Sequence, residues 1–166
     1  QILPLTPPLM GDSPYLSESA FAGNEALISL EVLRDWGWLR QEALDDFLAQ
    51  GQKTTSWHSL AAYKAKILWD MSHDPDLTIP WEPFRAFCEK NAYWLDDYAL
   101  SHVKFMQYIF SRQWHDVRAY AVKNGVSVLG DVPMFVAHNS ADCWAHQDQF
   151  DLDEMGNPSS VAGVPP

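Results

Sequence analysis

Gly125-Val126-Ser127-Val128-Leu129-Gly130-Asp131-Val132-Pro133 is the stretch from which the architecture can be read. Val126, Val128 and Leu129 form a short apolar run with little alternation, the pattern of a strand buried on both faces in a parallel sheet. Gly130 lets the backbone turn closely, Asp131 is the first ionisable group, and Pro133 ends ladder pairing. Asp131 is therefore expected at a strand end where loops gather. Its carboxylate either satisfies loop amides and caps the next helix or faces a ligand, and position alone leaves both open.

Upstream, Leu100, Val103, Ile109/Phe110, Trp114, Val117 and Tyr120/Ala121 recur at three- and four-residue steps, with His102, Gln107, Arg112, Asp116 and Lys123 between them. This predicts a long amphipathic helix from Asp97 to Lys123. Asn124-Gly125 then supplies residues that tolerate a left-handed turn after a helix end. Helix, turn and strand in succession, with the strand buried, predict an α/β chain.

The first segment repeats the motif. Ile2-Leu3-Pro4-Leu5 is a short apolar strand candidate, and the Pro/Gly-rich loop from Thr6 to Tyr15 follows it. Asp12, Ser13 and Tyr15 sit just after that strand, able either to hydrogen-bond and stack on a ligand or to hold a rigid turn. Between the two strand regions lies a helical block: one or two helices over Leu30 to Leu48, interrupted near Gly37, another over Ser59 to Met71, and a third opened by Pro80-Trp81-Glu82-Pro83. The expected organisation is a barrel strand and substrate loop over residues 1–29, an inserted helical subdomain over 30–96, and a barrel helix, strand and following loop over 97–166.

Composition narrows the function classes. The 166 residues are 47% hydrophobic and 20% charged, as in an ordered globular protein. Eleven Lys and Arg against 22 Asp and Glu give a net charge of −11, which repels phosphate backbones and anionic lipids. Neither nucleic acid nor a membrane is an expected partner; a neutral substrate is. No apolar run reaches the roughly 20 residues of a membrane span, Gln1-Ile2-Leu3-Pro4 lacks the basic region of a signal peptide, and cytoplasm is the default. A complete eight-stranded barrel needs about 250 residues, so the chain reads as a section of one.

Cys88 and Cys143 are far apart with no Cys-x-x-Cys partner, and read as free thiols. Phe84, Phe87 and Trp94 stand at helical spacing and are expected in the core, while Trp36, Trp38, Trp57 and Trp81 remain open between core and sugar-binding groove. His138, Asp142 and His146 share a four-residue spacing compatible with a metal, but Asn139-Ser140-Ala141-Asp142 reads better as a helix cap, so no metal is assigned. Asp151, Asp153 and Glu154 before Met155-Gly156-Asn157-Pro158 read as a solvated turn.

The same residues carry a resemblance. Gln1-Ile2-Leu3-Pro4-Leu5, Gly11-Asp12-Ser13-Pro14-Tyr15, Ser19-Ala20-Phe21-Ala22-Gly23-Asn24, Trp94-Leu95-x-Asp97-Tyr98-Ala99-Leu100, Arg112-Gln113-Trp114, Gly130-Asp131-Val132-Pro133-Met134-Phe135-Val136-Ala137, Ser140-Ala141-Asp142-x-Trp144 and Val161-Ala162-Gly163-Val164-Pro165-Pro166 are similar, in order, to the amylomaltase family of 4-α-glucanotransferases. The resemblance implies a portion of a (β/α)8 TIM barrel with an inserted helical subdomain. It implies transfer of α-1,4-glucan segments by a retaining double displacement, with a carboxylate nucleophile, a carboxylic acid for the leaving oxygen, and a sugar hydroxyl as acceptor.

In that family the three catalytic carboxylates belong to motifs beyond the position of Pro166, so the resemblance puts no catalytic residue in these 166. Carried over position by position, Ser13 and Tyr15 are implied beside the donor sugars and Asp131 as a strand-end acid that supports the site. Those three are the candidate substrate-binding residues, the implied partners are maltooligosaccharides, starch or glycogen, and no cofactor or metal is implied. If the source is a plant or alga, the resemblance allows a plastid location. Departures are Leu9-Met10, where the family often has an aromatic, Glu25, where proline usually follows Gly-Asn, and Asn139 in place of a common aspartate. Two other classes stay in view: a carbohydrate-binding or helical interaction module without catalysis, and a metal-dependent hydrolase.

Overall fold

The computed structural model describes residues 1–8, 13, 15–54, 56–99, 101–133 and 135–160, the side chains of 101, 102 and 135 excepted. Asp12, the pair Leu9-Met10 and the terminal run 161–166, all singled out above, lie outside the described residues. Helices dominate. In chain order they are α1 (Leu30–Asp35), α2 (Gln41–Lys53), α3 (Trp57–Ser72), α4 (Trp81–Tyr98), α5 (Ser101–Lys123) and α6 (Ala141–Ala145), with short 3-10 turns at Glu25–Leu27 and Gln147–Gln149.

Local chemistry sets these boundaries. Ser29 Oγ accepts from the Val32 amide to open α1, Ser56 Oγ accepts from Ser59 to open α3, and Ser140 Oγ accepts from Cys143 at 3.1 Å to open α6. The cap read at Asn139-Ser140 is thus formed by the serine. Pro80 stands just before α4, whose first turn holds Pro83, where a missing amide costs nothing. After α5, Gly125 adopts φ 70 and its chain neighbours close the end by bonds from Gly125 to Val122 and from Val126 to Ala121, as expected for a glycine-terminated helix.

The helix expected from Asp97 to Lys123 is two helices. α4 runs on to Tyr98, Ala99 is extended (φ −140, ψ 135), and α5 starts at Ser101. Periodicity carried across the break because apolar positions on both helices face one core.

That core is Ile28, Leu30, Leu33, Leu44, Leu68, Met71, Phe105, Met106 and Ile109, all at most 5% exposed, from α1, α2, α3, α5 and the segment before α1. Phe84 and Phe87 pack against it from α4, as their spacing predicted. Trp94, Leu95 and Ala22 form a smaller cluster at the other end of α4. Trp36 and Trp38 pack half-buried on the main core, whereas Trp57 and Trp81 are exposed.

The sheet differs from expectation in place. Two strands pair in parallel, β1 (Leu16–Ser17) with β2 (Phe135–Val136), in the register Leu16 to Phe135 and Ser17 to Val136. Neither Ile2–Leu5 nor Val126–Leu129 forms a strand; a single bond, Ile2 N–H to Leu129 C=O at 2.9 Å, joins them. Val126 is 55% and Leu129 66% exposed, so the run read as buried on both faces is open. A ladder forms only where a neighbour strand lies alongside, and among the described residues this run has one neighbour contact.

Candidate substrate site

Tyr15 immediately precedes β1, and Asp131 lies four residues before β2, so the parallel pairing of the strands brings both to the same place. The Tyr15 hydroxyl donates to Asp131 Oδ2 at 3.4 Å, a long and partly buried contact. The other oxygen, Oδ1, accepts from the Val132 amide at 2.9 Å. One carboxylate thus fixes its own loop and reaches the first loop, which is the first of the two readings that its position left open.

Ser13 is half-buried, and its carbonyl accepts from the Leu16 amide at 3.3 Å, which turns the chain into β1. Of the three candidate substrate residues, Tyr15 and Asp131 touch, while Ser13 shapes the turn that presents Tyr15. A cavity of about 720 Å³ is lined by Leu16, Val136, His138, Phe150 and Leu152 among others, and its lining does not include the three.

The loop between β1 and α1 is held by side chains of α5 and α3. Gln107, only 2% exposed, grips Gly23 through both ends of its amide: Gly23 N–H to Oε1 at 2.7 Å, and Nε2–H to Gly23 C=O at 3.0 Å. Further along α5, Gln113 does the same to Ser29, at 2.8 and 3.1 Å. Lys64 Nζ donates to the carbonyls of Ala26 and Ile28 at 2.8 and 2.9 Å, and burial holds its pKa below the ordinary lysine value. The signal in the sequence was a glutamine inside an otherwise apolar stretch of α5.

Asp142 accepts from the Ala20 amide at 2.8 Å, which pins the residues after β1 to α6. The His138 ring contacts the Gly156 carbonyl at 2.7 Å. His138 and Asp142 thereby make separate backbone contacts, and among the described residues no three His, Cys, Asp or Glu side chains converge on one point. Asp153 closes the turn read at residues 155–158 by accepting from Met155 and Asn157. Those bonds, with Asn157 first, lower its pKa. Cys88 and Cys143 are free, and burial raises the Cys88 pKa.

Glu25 stands at the one position where the sequence departs from proline after Gly-Asn. Burial, and secondly the charge of Glu18, raise its pKa above the ordinary 4.5. Tyr98 is likewise raised, by burial first and then by Glu18, Glu25 and Asp142. The first loop and the end of α4 therefore meet around an acidic cluster.

Among known proteins, the family model described as 4-alpha-glucanotransferase matches residues 1–103 and 100–166. A 4-alpha-glucanotransferase of Thermus thermophilus is 36% identical over 209 aligned positions, covering all of this chain and 41% of that protein. The chloroplastic/amyloplastic 4-alpha-glucanotransferase of Solanum tuberosum is 34% identical over 213 positions, covering all of this chain and 37% of that protein. The chain thus spans about two-fifths of the length of these curated relatives. The structure is similar to an amylomaltase from Streptococcus agalactiae solved with acarbose, with a TM-score of 0.62 and 25% identity over 98% of this chain and 41% of that one. Both stretches of the family match together take in every residue discussed above, and the chain belongs to the 4-alpha-glucanotransferase family.

Proposed function

We propose that this chain is a section of a 4-α-glucanotransferase that moves α-1,4-glucan segments to acceptor glucans by a retaining double displacement, with Ser13, Tyr15 and Asp131 beside the donor sugars. The observation that carries the reading is the meeting of Tyr15 and Asp131 at the ends of two parallel strands, 116 residues apart in sequence. What supports the reading is the contact itself, since both residues stand on the N-terminal side of the strands seen and a barrel keeps its chemistry at the C-terminal ends. The two strands seen are read as part of a (β/α)8 barrel, with residues 30–96 as its helical insertion and 97–166 as the next barrel unit.

A retaining transfer needs a nucleophile and an acid/base pair, and in this reading both belong to other parts of the parent enzyme. The contribution of these residues is orientation. A phenol and a carboxylate that already contact each other present an acceptor and a donor to sugar hydroxyls with little further loss of freedom. The net charge of −11 agrees with neutral glucans as substrates. No described helix is long and apolar enough to cross a membrane. We place the enzyme in the cytoplasm, or in a plastid if the source is a plant, as the name of the Solanum tuberosum relative suggests for that protein.

The test is a maltotriose disproportionation assay, read by product chromatography, on the full-length parent and on these 166 residues side by side. Glucose and longer chains from the parent alone are expected. Turnover by the 166 residues alone would move catalysis onto Asp131 or its neighbours and overturn the assignment.

A further inference from the structure

Two serines close to Tyr15 are buried as completely as any leucine of the core: Ser17 is 0% and Ser19 1% exposed. A hydroxyl cut off from water has to find its partners in the protein. Ser17 Oγ lies 2.6 Å from the Ser19 carbonyl and 3.2 Å from the Pro7 carbonyl, two acceptors for its one hydrogen, and it accepts from the Ser19 amide at 3.2 Å. All of these partners are backbone groups, and they come from two separate stretches of chain.

Those stretches are the two ends of the loop that carries Ser13 and Tyr15. At the incoming end, the Pro7 carbonyl also accepts from the Glu18 amide at 3.4 Å, and Pro8 bridges to Ser17. At the outgoing end, Ser17 pairs with Val136, and its carbonyl accepts from the Ala137 amide at 3.1 Å. Ser17 is thus the point where the first loop closes on itself and is joined to the segment that leads away from Asp131. The contact between Tyr15 and Asp131, at 3.4 Å, is too long for the two residues to hold each other in place. The buried hydroxyl two residues from Tyr15 is the firmer fixture.

We infer that Ser17 is a positioning residue for glucan transfer, its hydroxyl setting where the Tyr15 hydroxyl stands relative to Asp131 and the donor sugar. The inference rests on the proposed transferase function and deepens it with a residue that acts through Tyr15. With no exposed surface, Ser17 itself offers nothing to a sugar. Its substitution by alanine deletes one oxygen, leaves the Ser19 amide without its acceptor and frees the Pro7 end of the loop. A displacement of about 1 Å in a group that orients substrate costs up to about a hundredfold in rate, so a small loosening of this clasp is enough to be read in turnover.

The experiment is a double-mutant cycle on the full-length parent: Ser17→Ala, Tyr15→Phe and the combined variant are compared in maltotriose disproportionation, with circular dichroism recording the folded state at the assay temperature. Ser17→Ala is expected to lower kcat/KM about three- to tenfold. In the Tyr15→Phe background the same substitution is expected to cost less than about twofold, because the hydroxyl it positions is gone. A loss that comes only from a smaller folded fraction takes the same factor from both backgrounds. Ser19→Ala supplies that comparison, since Ser19 Oγ accepts from the Phe21 amide at 3.2 Å and does not reach Pro7. Equal factors for Ser17→Ala in the two backgrounds, full turnover in Ser17→Ala or in Tyr15→Phe, or the same coupling from Ser19→Ala overturns the positioning role, while disproportionation by the parent keeps the transferase reading. Should Ser17→Ala not fold, Ser17→Cys, which fills the place with a weaker donor and acceptor, goes through the same cycle with the same outcomes. A parent that does not disproportionate maltotriose overturns both.

Discussion

The Tyr15 hydroxyl donates across 116 residues of sequence to Asp131 Oδ2, at 3.4 Å. The bond is too long to contribute much to stability, and its importance lies in where it holds the two groups. In the full-length parent, Tyr15→Phe is expected to lower transfer from maltotriose by up to about tenfold, the worth of one ordinary hydrogen bond. Asp131→Asn, which keeps the shape but loses the charge, is expected to cost about tenfold to a hundredfold, the scale of a misplaced positioning group. Steady-state kinetics check both, and full activity in Asp131→Asn would remove that residue from the substrate site.

Gln107 is expected to be the most sensitive polar residue of α5. Gln107→Ala leaves the buried N–H and C=O of Gly23 without their partner, at a cost of about 2–4 kcal/mol in urea denaturation. Gln107→Glu keeps an acceptor for Gly23 N–H but buries a charge facing a carbonyl. A protonated carboxyl again offers one donor and one acceptor, so the deficit of Gln107→Glu should shrink as pH falls towards 4. A deficit that is flat with pH would show that the amide is not read by both ends.

Gly23 also faces the Phe110 ring. A methyl group there would sit 2.0 Å from Phe110 Cδ1, far inside contact distance. Gly23→Ala should cost about 1–3 kcal/mol by overpacking. Adding Phe110→Ala should recover part of that loss, and a double variant no better than the sum of the singles would place the strain elsewhere.

Glu25 gives a pH-dependent stability of known sign. Its pKa is raised in the folded state, so the folded chain holds the proton more tightly than the unfolded one. The penalty is absent below the unfolded value, grows as pH rises through the folded value, and is complete above it. Glu25→Gln should therefore raise Tm at pH 7 and leave it unchanged near pH 4. Glu25→Pro should also stabilise at pH 7, because the residue follows the Asn24 cap at the first position of a helical turn, where proline is tolerated. Equal effects at both pH values would assign the gain to something other than the carboxylate.

Much of this was legible from the residues. The helical block, the presence of a cap before α6, the glycine end of α5 and the placing of Phe84, Phe87 and Trp94 follow from side-chain periodicity and local bonding, which act over a few residues. The parallel pairing was legible as a type but not in place, because strands are defined by partners far away in sequence. Leu16–Ser17 and Phe135–Val136 are too short to announce themselves, and Val126–Leu129, which looks like a strand, has too little alongside it here. Gln107 and Gln113 escaped for a different reason: a polar residue on a helix is read as solvated unless the backbone it binds is known. The meeting of Tyr15 and Asp131 needed the sheet, although each was singled out separately.

The paired glutamines of α5 hold Gly23 and Ser29 by their peptide groups alone. Every amino acid but proline carries the same peptide donor and acceptor. The ends of the chain segment between these two points are therefore held by partners indifferent to what the side chains are, which leaves Glu25, whose side chain takes no part in those bonds, open to exchange. A segment of this kind is a natural place for one enzyme to differ from its relatives, and the exchange of proline for Glu25 is an instance already made.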